Sequence, residues 1–180
     1  MEETITSHKR TARLAGLLYL LWIITAIYGL MYVQALTIVQ GDPVATATKV
    51  LANEFVFRTG IINGIVSSFI WVLLGLTLYR LFKHVNDRQA KLLIALVIVQ
   101  IPTVFIAEAL NITSLMLFKG EILKTFELSQ RQDLAMLLLK INNYATITLE
   151  MYWGALAFSI WSVGLQIRFY SSHIGGVSNC

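Results

Sequence analysis

Hydrophobic residues in this chain fall into four long stretches. These are separated by shorter segments that contain most of the charged residues. The hydrocarbon core of a bilayer is about 30 Å thick, and a helix of roughly 20 apolar residues crosses it. Because only helices and closed barrels satisfy every backbone polar group in lipid, the pattern predicts an all-α, polytopic transmembrane bundle. We expect four spans, a cytoplasmic tail at 1–12 and a polar tail at 169–180; the spans are 13–33, 58–80, 92–118 and 142–167.

The outer loops hold signals for short amphipathic helices. Asp42 followed by Pro43 is typical of a helix N-terminus, and apolar residues then recur at helical spacing: Val44, Ala47, Leu51 and Phe55. Ser129 and Gln132 resemble a capping box for the last helix. We expect that helix over 130–168, with a break at Asn142–Asn143.

Two features of the predicted spans concern their packing and shape. Gly60, Gly64 and Ser68 recur every four residues in the second span, and such a stripe of small residues predicts a helix-packing face. Pro102 in the third span removes a backbone donor and predicts a kink.

The composition supports a membrane protein. Hydrophobic residues make up 57% of the chain and charged residues only 13%, whereas a soluble domain carries about 25% charged residues. The net charge of +4 comes from basic residues at the edges of the apolar stretches, which is the pattern of membrane topology and not of a nucleic-acid-binding face. We therefore expect the lipid bilayer as partner and no nucleic acid.

Cysteine and histidine are too few and too scattered for a metal site. The one cysteine is Cys180, and His8, His84 and His173 lie far apart in the sequence, outside the apolar stretches. We expect no disulfide, no metal and no cofactor.

Orientation follows from the placement of lysine and arginine. With the N-terminus in the cytoplasm, eight basic residues lie inside and six outside, and the densest basic segments are the N-terminal tail and residues 80–91. The positive-inside rule therefore predicts a cytoplasmic N-terminus.

Glu108 and Glu150 are the two acids within the apolar stretches. Placing an ionisable residue in lipid costs about 2.5–3.5 kcal/mol on insertion scales, so we expect both to face the bundle interior. In the predicted topology several polar residues fall in the outer half of the membrane and form a polar cluster, in which Arg58 is the expected counter-charge: Arg58, Asn63, Glu108, Asn111, Asn143 and Glu150.

Two interpretations of this cluster stay open. It is either a hydrogen-bonded staple between helices or a small cavity for a solute, an ion or a proton. No nucleophile, metal ligand set or cofactor motif accompanies the acids, so we expect a non-enzymatic protein. The first hypothesis is a role through helix packing, in a homo-oligomer or with a membrane partner. The alternative is a small-solute or proton-linked transporter that uses the intramembrane carboxylates.

Four motifs resemble a known family: TARLAGLLYLL at 11–21, FRTGIIN at 57–63, LFKHVN at 81–86 and AEALN at 107–111. In this order and spacing the chain resembles the bacterial integral membrane proteins grouped as domain of unknown function 4386. The resemblance covers residues 10–168 and implies a helical protein of the bacterial plasma membrane, but it assigns no active site. Members of that family continue with further membrane helices, so the resemblance also implies that this chain is a C-terminally truncated version.

Overall fold

The structure is a computed structural model that describes the backbone of residues 2–177 and the side chains of residues 8–149 and of four later positions. All regular structure in residues 2–177 is helical. The elements in chain order are α1 (Glu2–Ile27), a π-helical segment (Tyr28–Val33), α2 (Gln34–Thr37), α3 (Pro43–Ala52), α4 (Glu54–Phe82), α5 (Asp87–Lys119) and α6 (Leu128–Val177).

Three helical stretches among the described residues are long and apolar enough to cross a membrane: His8–Thr37, Glu54–Phe82 and Asp87–Lys119. Each contains the corresponding predicted segment and extends beyond it at both ends. The fourth predicted span, 142–167, lies within α6, where most side chains are outside the described part of the chain. The structure therefore shows an all-helical fold with three candidate spans.

Both predicted tails are helical over their described residues. Helix α1 begins at Glu2 and α6 continues to Val177, so the helices extend through most of 1–12 and 169–180. Neither segment contains a proline, and the glycines near the end of α6 cost only about 1 kcal/mol each in a helix. Polar composition by itself does not end a helix.

The start of α3 confirms the predicted cap. Asp42 accepts a hydrogen bond from the backbone N–H of Ala45 at 2.9 Å, and Pro43 is the first helical residue. Within α3, Ala47 is 2% exposed and Val44 is 60% exposed, and the predicted face ends before Phe55. Residue 55 belongs to α4, since the chain turns at residue 53 before the next helix.

The start of α6 differs from the predicted capping box. The helix begins at Leu128, and the side-chain oxygen of Gln130 accepts from the backbone N–H of Glu127 at 3.1 Å. The Ser129–Gln132 box is therefore wrong by two residues. The predicted break at Asn142–Asn143 is also wrong, because the Asn142 amide bonds a neighbouring helix and leaves its own helix intact.

The long helices pack in chain order, α1 on α4, α4 on α5 and α5 on α6, and α3 lies against the end of this bundle. One apolar core joins α3, α4, α5 and α6; it contains Val50, Phe57, Ile61, Leu117, Phe118 and Ala135. A second, smaller core surrounds Leu93 and Val97 and includes Trp71. Near that second core the rings of His8 and His84 lie 5.7 Å apart, so the start of α1 is close to the α4–α5 connection.

Candidate functional site

A cavity of about 250 Å³ lies between α1, the π-helical segment, α4, α5 and α6. Along α4 its wall runs from Phe57 to Trp71, which is about 21 Å at 1.5 Å per residue. Gln40 and Lys140 lie on the wall at one end and are exposed to solvent. The rings of Trp22 and Trp71 lie against each other at the other end, with centroids 4.7 Å apart and planes tilted by 35°. The cavity thus has an accessible end and an aromatic end.

A relay of hydrogen bonds crosses the cavity wall from α6 to α5. The Asn142 Nδ2 donates to Asn111 Oδ1 at 2.6 Å, and the Asn111 Nδ2 donates to Glu108 Oε2 at 3.0 Å. Because both amides donate toward the carboxylate, each bond polarises the next in the low-dielectric interior. The relay orients the Glu108 carboxyl group in the cavity wall.

Gly64 on α4 makes room for this carboxylate. The Glu108 Oε1 lies directly over the Gly64 Cα, so that a Cβ at position 64 would collide with it. Gly60, one turn before, receives the side chain of Val33 in the same way. The small-residue stripe of α4 therefore does form contacts with neighbouring helices, and at Gly64 the contact is with the carboxyl group of Glu108.

The opposite wall joins α1 to α4 through polar side chains. The Asn63 Nδ2 donates to the backbone carbonyl of Thr25 at 2.8 Å, and the Thr25 hydroxyl lies 3.1 Å from the Ser67 hydroxyl. The π-helical segment begins three residues after Thr25. Because π-type turns accommodate side chains that bond into the helix ladder, the Asn63 amide supports the wider turn at this wall.

Four of the sequence-predicted residues line the cavity: Asn63, Glu108, Asn111 and Asn143. Glu150 lies in α6, and its side chain is outside the described residues.

The expected counter-charge is wrong. The Arg58 guanidinium bonds the Glu54 carboxylate at 2.7 Å, and its side chain is 54% exposed. Since α4 begins at Glu54, the acid four residues before Arg58 is its natural partner on the same helix face. Lys119 also bonds Glu54, at 3.2 Å. Over the side chains that the structure describes, Glu108 therefore forms no ion pair.

Sequence reasoning missed Asn142, Thr25 and Ser67 as wall residues. Ser67 follows Asn63 and Gly64 by one turn, so the α4 stripe already contained a signal that polar as well as small groups share this face. Asn142 carried no such signal, because its partner Asn111 is 31 residues away in sequence.

These features define a class: an all-helical protein with three helices long and apolar enough to cross a membrane, and a polar cavity between its helices. The chain belongs to the family described as domain of unknown function (DUF4386), which matches residues 14–174. This confirms the family that the sequence motifs indicate. A search of curated proteins gave no match, and a search of solved structures gave none.

Proposed function

We propose that this chain is a non-enzymatic integral membrane protein that binds a small polar solute in the cavity lined by Glu108, Asn111 and Asn142. The cavity itself carries the proposal. Hydrogen bonds that only hold two helices together require no space beside them. Protein interiors normally pack around such bonds without voids larger than a water molecule. Here the relay borders a space of about 250 Å³, which is large enough for a small molecule.

The proposal includes a membrane topology with four spans, the fourth within α6 at 142–167, in the bacterial plasma membrane. The basic residues favour a cytoplasmic N-terminus, and the contact of His8 with His84 is consistent with α1 starting on the same side as the α4–α5 connection. In this orientation Gln40 and Lys140 are at the outer surface. The cavity then opens outward, and its aromatic end lies toward the cytoplasm.

The chemistry of the wall fits binding better than catalysis. The described side chains around the cavity offer hydroxyls, amides and the Glu108 carboxylate, and these groups orient a solute through hydrogen bonds. Binding of a solute in a membrane cavity is also the first step of transport. The accessible end at Lys140 is the entrance for such a solute.

Cysteine accessibility tests whether the cavity is open to water in the membrane. In a Cys180→Ser background, which removes the one native cysteine, Ser67→Cys places a thiol on the wall and Phe69→Cys places one on the surface. Phe69 is 60% exposed on an apolar helix, so it faces lipid in the proposed bundle. Intact membranes are treated with a charged methanethiosulfonate reagent that does not cross lipid.

We expect the Ser67→Cys thiol to react and the Phe69→Cys thiol to stay unmodified, because only a thiol in contact with water ionises and reacts. Equal reaction at both positions, or reaction at Phe69→Cys alone, would contradict a water-accessible cavity within a membrane bundle.

A further inference from the structure

We infer that the solute carries a positive charge: the cavity takes a small organic ammonium ion whose N–H groups bond the Glu108 carboxylate. This inference rests on the proposed function and adds the chemical class of the ligand.

Glu108 is the reason for a cationic ligand. A carboxylate between apolar helices is costly unless a positive charge compensates it or a proton neutralises it. The described cations do not supply one: Arg58 and Lys119 both bond Glu54. Lys140 lies on the wall at the accessible end, is exposed, and forms no ion pair with Glu108. A ligand with an ammonium group would provide the missing charge.

The hydrogen-bond pattern also favours a donor ligand. Glu108 Oε2 accepts from Asn111, and Glu108 Oε1 lies against Gly64 of α4. Asn142 uses its Nδ2 in the relay, so its Oδ1 remains an acceptor on the cavity wall. An ammonium group is a donor only, with no acceptor function. It can therefore donate hydrogen bonds to these oxygens, whereas a carboxylate ligand would be repelled by the negative charge of a Glu108 carboxylate.

The aromatic end suits the organic part of such a ligand. The indole rings of Trp22 and Trp71 lie together on the wall, where they offer apolar area and electron-rich rings that attract cations. The volume of about 250 Å³ is below the range of about 300–1,000 Å³ for drug-sized ligands. We therefore expect a small amine.

The test compares three small probes that share a tert-butyl group and differ in charge: tert-butylammonium, tert-butanol and pivalate. Purified full-length protein in detergent is titrated with each at neutral pH, and binding is read from tryptophan fluorescence and from the thermal unfolding midpoint. The variant Glu108→Gln removes the charge and retains an oxygen for Asn111. Glu121→Gln is the matched control, because Glu121 is an exposed acid that bonds Lys119 outside the cavity wall.

We expect saturable binding of tert-butylammonium, at least tenfold weaker binding of the other two probes, and at least a tenfold loss of tert-butylammonium affinity in Glu108→Gln but none in Glu121→Gln. Equal binding of tert-butanol and tert-butylammonium overturns the inference and leaves the proposed function in place. Failure of all three probes to bind overturns both. Should Glu108→Gln fail to fold, the order of the three affinities in the native protein still decides.

Discussion

Gly64→Ala is the sharpest perturbation of the site, because the structure seats the Glu108 carboxylate directly on Gly64. A methyl group at position 64 displaces that carboxylate. Moving the side chain off its rotamer costs about 0.5–1.5 kcal/mol. Losing the charged hydrogen bond from Asn111 costs about 1.5–3 kcal/mol. The higher helix propensity of alanine offsets about 1 kcal/mol of this cost, so we expect a net destabilisation of about 1–3.5 kcal/mol.

The assay is thermal unfolding of the purified protein in detergent, followed by circular dichroism. For a chain of 150–250 residues, 1 kcal/mol shifts the midpoint by about 2–4 °C. Gly16→Ala is the matched control, because a Cβ at Gly16 meets nothing within 4 Å. We expect Gly16→Ala to leave the midpoint unchanged or to raise it slightly.

A double-mutant cycle tests whether the lost stability comes from the contact between position 64 and the Glu108 side chain. In a Glu108→Ala background the carboxylate is absent, so Gly64→Ala should cost no more than Gly16→Ala. The reasoning is refuted if Gly64→Ala is as stable as Gly16→Ala, or if its cost persists without the Glu108 side chain.

Three further predictions concern the relay, a helix cap and the corrected counter-charge. Asn142→Ala removes the donor to Asn111 and should lower stability by about 0.6–1 kcal/mol in the same thermal assay; an unchanged midpoint would contradict the relay. Asp42→Ala should speed amide hydrogen exchange across α3 about fivefold, because loss of an N-cap costs about 1 kcal/mol, and exchange in α5 serves as the internal control. Arg58→Gln should leave the affinity for tert-butylammonium unchanged, since Arg58 bonds Glu54 at the surface, and a change of threefold or more would place Arg58 at the site after all.

The wrong assignment of Arg58 shows where sequence reasoning stops. The predicted second span begins at residue 58, which leaves Glu54 in a loop with no defined relation to Arg58. In the structure α4 begins at Glu54, and the two side chains become neighbours on one helix face. The predicted helix start was four residues too late, and this error led to the wrong counter-charge for the cavity.

The polar walls depend on contacts that no local pattern contains. Thr25 meets Ser67 across 42 residues, and Asn111 meets Asn142 across 31. Each side chain by itself is compatible with a bond inside its own helix or with a neighbouring helix. The register between helices selects the partner, and between α4 and its neighbours the close contacts at Gly60 and Gly64 restrict that register.

The amino-acid sequence alone determined the helical class, the location of the three candidate spans, the α3 cap and the family. These properties depend on residues within a few turns of one another, because the transfer of an apolar segment to lipid and the capping of a helix are local free energies. Only the tertiary structure decided that Glu108 faces a cavity, that its carboxyl group packs against Gly64, and that Arg58 lies outside the cavity wall. Those outcomes depend on distances between helices, and the hydrophobic pattern of one helix does not encode the position of the next.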